Sequence, residues 1–149
     1  MTRVVVLDAG PLGILCAPPN KTSVLEGLNW LSAHLSAGSR VVIPEIADYE
    51  VRRELLRAAK PASADRLDAL ASVAEYLPIT TAAMRRAAEL WAAARRAGQP
   101  TAGDKTIDAD IILIAQTLLL EVPAAVIATT NVGHLARFAP PEFWLSIPT

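Results

Sequence analysis

The chain has 149 residues, a formal charge of -1, and 52% hydrophobic but only 5% aromatic residues, which predicts one domain, residues 1–149, around an aliphatic core. The charge excludes a strongly basic, histone-like binder but not a local basic face. The single cysteine, Cys16, excludes an internal disulfide and a cysteine metal site, and no apolar run reaches signal-peptide or membrane-span length, so the expectation is a soluble cytoplasmic protein without a membrane segment.

In chain order, RVVVL (3–7) is a β-branched run ended by Asp8, Gly10 and Pro11, which predicts a buried strand and then a turn. A loop and a helix follow, with Thr22 or Ser23 as cap and Gly38 as stop. RVVIP (40–44) is a second strand, and from Pro44 a helix runs towards Pro61. The next helix takes Ser63 as its cap. YLPIT is a short strand broken by Pro78, and an Ala-rich helix ends at Gly98. DADIILIAQTLLLE (108–121) lacks Gly and Pro and sets Ile107, Ile111, Ile114 and Leu118 in one apolar stripe. PAAVIATT is a strand, NVGHLARF a turn with a short helix, and FWLSI a last edge strand. Apolar strands alternating with helices predict a three-layer α/β/α sandwich with a mostly parallel central sheet.

Ligands of such sheets bind outside the carboxyl ends of the strands. Asp8 follows the first strand, Glu50 lies in the helix after the second, Asn131 follows the AAVIATT strand, and Asp108 and Asp110 open the helix before it. Asp110 is beside the apolar stripe, an expensive place for an unpartnered carboxylate. No P-loop, nucleophile elbow or Ser-His-Asp set is visible, and Gly10 stands where phosphatases with a nucleophilic Asp place a second acid. Clustered carboxylates repel and raise a pKa, and a hard cation relieves that conflict. Mg²⁺ or Mn²⁺ suits such oxygen ligands and can activate a water for phosphodiester displacement.

These four stretches, VVVLDAGPLG, IPEIADYEVRREL, DIILIAQ and ATTNVGHLARF, resemble the motifs of PIN-domain proteins, and among them the VapC-type toxins of bacterial toxin–antitoxin pairs, over nearly the whole chain. The resemblance implies Mg²⁺-dependent (or Mn²⁺-dependent) cleavage of RNA, inhibition by a cognate antitoxin, and a homodimer. It assigns Asp8, Glu50, Asp110 and Asn131 to the active site, with Asp8, Glu50, Asp110 and either Asp108 or Asp104 as metal ligands. Two positions depart from the pattern: Ala9 replaces the usual Ser or Thr, and Asn131 is a neutral ligand.

Each residue also has a plainer role. Asp8 and Asn131 suit turns, Asp108 suits a helix start, and Glu50 shares its helix face with Arg53, Glu54 and Arg57, with Glu45 and Glu54 as rival acids. His134 reads as a structural or surface histidine in preference to a base. The arginines of the Glu50 helix are placed to meet RNA phosphates. The alternatives left open are a degenerate PIN domain serving as a binding module and a PIN-type DNA nuclease.

Overall fold

The computed structural model describes residues 2–98, 104–132 and 141–149. His134 lies outside them, as does the side chain of Asp104. Five strands, β1 (Val4–Leu7), β2 (Arg40–Pro44), β3 (Glu75–Leu77), β4 (Ala125–Thr129) and β5 (Pro141–Phe143), form one sheet in the order β3-β2-β1-β4-β5. Every pairing is parallel. Six helices cover it: α1 (Ala9–Cys16), α2 (Thr22–Ser36), α3 (Glu45–Arg57), α4 (Pro61–Val73), α5 (Thr81–Arg96) and α6 (Asp104–Leu118).

The strand residues alternate between two cores, as a pleat with period two requires. Val5, Leu7, Val41, Ile43 and Ala128 pack with Leu12, Leu15, Leu31, Leu67 and Trp144. Val4, Val6, Val42 and Ile127 pack with Ile46, Ala109, Leu113 and Ile114. The three central strands, β2, β1 and β4, are therefore buried on both faces, which is why they read as unbroken apolar runs. Among the described residues no helix is long and apolar enough to cross a membrane.

Several boundaries differ from the sequence expectation. No turn separates β1 from α1: the helix starts at Ala9 and takes in Gly10 and Pro11. Proline is harmless there because first-turn N–H groups have no partner inside the helix. Asp8 is the N-cap and accepts from the Ala9 N–H at 2.8 Å. The caps of α2 and α4 are Lys21 and Lys60, one to three residues before the expected hydroxyls, and neither has a side-chain cap bond. Ser63 instead lies inside α4, buried, and accepts from Arg66. α6 starts before Asp108 and ends at Leu118, which is exposed although the apolar stripe predicted it buried. The last strand precedes the expected one, and WLS forms a 3₁₀ turn that buries Trp144. Trp144 meets Trp30 edge-on at 5.1 Å and lies over Gly27, where a Cβ would come within 2.6 Å of its ring. Glycine is required at that position by the close approach of the indole.

Candidate functional site

The parallel register sets the site at one edge of the sheet. Leu7 pairs with Ala128, so the residues that follow each of them emerge side by side. The Asp8 N–H donates to the Ala128 carbonyl at 3.0 Å. On the side-chain side, the Thr129 hydroxyl donates to Asp8 Oδ2 at 2.8 Å and accepts from the Asn131 N–H at 3.0 Å. One carboxylate oxygen is thus fixed by α1 and the other by the β4 loop. Gly10 is part of this junction, because a Cβ there would overlap the Thr130 side chain.

Glu50 comes from the far side of β1, in the middle of α3. The amino end of α3 is anchored through Gln116 of α6, which accepts from the Ile46 N–H at 3.3 Å and donates to the Leu77 carbonyl at 2.9 Å. Because α6 returns antiparallel to the strands, its early residues lie at the carboxyl edge, and Asp110 is half-buried there. Burial, and then the charges of Asp8 and Asp110, push the Glu50 carboxyl from 4.5 up to about 7, while Arg53 pulls the other way. Glu50 on α3 thus feels the charges of Asp8, at the end of β1, and of Asp110, on α6. Among the described residues no group of three acidic, histidine or cysteine side chains is placed to hold a metal ion.

Asp108 is not brought to this cluster. It is exposed and borders an apolar groove with Trp91, Met84 and Ile111. Residues two apart on a helix do not share a face, so Asp110 and Asp108 diverge. Asn131 is exposed at the rim of the site, joined to it through its backbone N–H. The rival acids on α3 are engaged elsewhere: Glu45 accepts from the Ile79 N–H at 2.7 Å and Glu54 pairs with Arg57 at 2.9 Å.

Sequence reasoning missed two contributors. Thr129 is fully buried and holds Asp8, a role that no sequence signal marks. Asp48, also buried, accepts from Tyr76 at 2.7 Å and from Arg52 at 2.9 Å and so braces α3 behind Glu50.

No known family's sequence profile matches the chain, and no curated protein sequence does either. Solved structures do. A chain of VapBC2 from Rickettsia felis, crystallised on a fragment of its promoter DNA, superposes with a TM-score of 0.67 at 15% identity, over 93% of this chain and 95% of its own. VapBC-1 from nontypeable Haemophilus influenzae gives 0.60 at 18% identity, covering 90% and 91%. DNA-bound VapBC from Salmonella typhimurium gives 0.60 at 19%, covering 95% and 96%. The chain has a PIN-like fold. The match spans almost the full length of both chains. The resemblance drawn from the four motifs and the fold found in VapBC assemblies thus coincide.

Proposed function

We propose that the chain is a divalent-metal-dependent endoribonuclease, the toxin of a toxin–antitoxin pair acting in the cytoplasm. The observation that carries this reading is the repulsion at Glu50: three carboxylates from separate elements oppose one another at the carboxyl edge of the sheet. The donor set fits Mg²⁺ or Mn²⁺, being all oxygen and rich in negative charge. Among the described residues the acids do not already stand as a metal-holding group, so they must draw in around a hydrated ion, which is held by few direct ligands and keeps several waters. Asp8, Glu50 and Asp110 would hold the metal. When bound, it supplies an activated water and charge stabilisation for phosphodiester hydrolysis.

The chain's own groups do the rest. The Ala9 N–H and Thr129 O–H fix the Asp8 carboxylate in one orientation before any ligand arrives. In the metal-free chain Glu50 titrates near neutrality, and beside a bound cation it would take its charged, ligating form. Asn131 offers a neutral amide at the rim of the site, where it would support the metal shell. The VapBC assemblies that share the fold support a cognate antitoxin as partner. RNA as substrate and a homodimer rest on the motif resemblance.

Purified, partner-free protein should cut total RNA into discrete products with Mg²⁺ or Mn²⁺, and neither EDTA-treated protein nor the Asp8→Asn variant should do so. Cleavage that survives both treatments would reject the site. A folded protein that binds no Mg²⁺ at millimolar levels would support the binding-module alternative, and preference for DNA the nuclease alternative.

A further inference from the structure

α3 carries three arginines, and their partners differ. Arg52 is held between Asp48 at 2.9 Å and Asp68 at 2.7 Å. Arg57 pairs with Glu54 at 2.9 Å. Arg53 makes no ion pair among the described residues. Its guanidinium lies 5.1 Å from the ring centre of Tyr49, which is 55% exposed. Beside this pair a cleft of about 390 Å³ opens between α1 and α3. Its floor is the bare helix surface at Ala9, Gly10 and Gly13, and its wall includes Glu50, Arg53 and Glu54. Glu50 therefore belongs both to the carboxylate cluster and to the cleft.

We propose that this cleft is a nucleotide subsite, seating the base and ribose of the nucleotide next to the scissile phosphate of single-stranded RNA, with Arg53 on the flanking phosphate. The inference rests on the ribonuclease reading. A polyanion approaching three carboxylates needs a cation at a neighbouring phosphate as well as at the cleaved one. Arg53 is the α3 arginine with no ion pair among the described residues, and it borders the cluster. Stacking on Tyr49 leaves the donors at the edge of the guanidinium plane for the forked contact that phosphate prefers. The glycine floor admits a flat group that larger side chains would exclude, and the volume is within the range of small-ligand pockets.

The test uses the full chain carrying Asp8→Asn, so that no RNA is consumed, and a short fluorescein-labelled single-stranded RNA of mixed sequence titrated over a salt series in Mg²⁺. Adding Arg53→Ala is expected to lower affinity about tenfold and to reduce the salt slope by about one phosphate. Arg53→Lys should keep the slope and lose part of the affinity. Gly13→Leu, which fills the cleft, should weaken binding with the slope unchanged. Gly13→Ala adds a methyl that meets only Val51 at 3.9 Å and gives a milder form of the same loss if the Leu variant does not fold. Arg40→Ala, at the amino end of β2 and paired with Glu75, should bind within twofold of the parent.

Unchanged affinity and slope in Arg53→Ala and Gly13→Leu overturn the subsite. They also overturn it if those variants instead weaken binding of a partner protein. Metal-dependent cleavage by the unmutated chain is read separately: a chain that cleaves RNA, with an Arg53→Ala variant of unchanged KM, rejects the subsite alone. A chain that neither binds nor cleaves RNA rejects both readings.

Discussion

Replacing Glu50 by glutamine should stabilise the metal-free protein, and only at high pH. The folded carboxyl titrates at about 7 against 4.5 in the ordinary state. Its folded-state pKa is raised, so its contribution is complete below 4.5 and is lost as pH climbs towards 7. Unscreened, that gap is worth about 3 kcal/mol. Glu50 is only half-buried, and solvent screening reduces the figure to about 1–2 kcal/mol. For a domain of this size that is roughly 2–6 °C in Tm. Thermal unfolding in EDTA should show Glu50→Gln above the parent by this amount at pH 8 and equal to it at pH 4. Mg²⁺ at pH 8 should raise the parent more than the variant, because the cation relieves the same repulsion. A variant no more stable than its parent at pH 8, or equally favoured at both pH values, would refute the convergence of the three carboxylates.

Thr129→Val keeps the shape but removes the hydroxyl that holds Asp8 and receives Asn131; a loss of about 1–3 kcal/mol and weaker Mg²⁺ binding are expected by denaturation and calorimetric titration. Asp110→Asn should abolish RNA cleavage, whereas Asp108→Asn, on the opposite side of α6, should leave the rate within about twofold. Gly27→Ala drives a methyl into the Trp144 ring and should cost about 1–3 kcal/mol in chemical denaturation, with the Trp fluorescence changed in the folded state. Burial pushes the Cys16 thiol up to about 12, so maleimide or iodoacetamide at pH 8 should label it only as fast as the protein unfolds.

The fold was legible because its strands are buried on both faces. Val4–Leu7, Arg40–Pro44 and Ala125–Thr129 read as apolar runs, and the alternation with helices fixes a parallel sheet. Helix boundaries were not legible where a rule has two outcomes. Gly10 and Pro11 signal a turn, yet both fit a first helical turn, so α1 was invisible. Ser63 has the composition of a cap but is used inside α4. Of the site, Asp8, Glu50 and Asp110 come together, because residues after parallel strands and at the start of the returning helix share one edge. Asp108 could not be sorted from Asp110 without the true start of α6. Thr129 was hidden because nothing in a one-dimensional pattern shows which strand neighbours β1.

The Trp144 contact with Gly27 has a consequence for the order in which the protein is made. Asp8, Glu50, Asp110 and Asn131 are all translated before Trp144. Trp144 completes the core that holds β1 and α1, and the buried His34 ring reaches the Ile147 carbonyl at 3.2 Å across 113 positions of sequence. A ribosome that has synthesised every acid of the site has therefore not yet supplied the wedge that closes the scaffold. Loop-closure entropy opposes such a distant contact until its last member emerges. Chemistry precedes architecture along this chain, and a nascent chain is expected to resist protease only after residues 144–147 have left the exit tunnel.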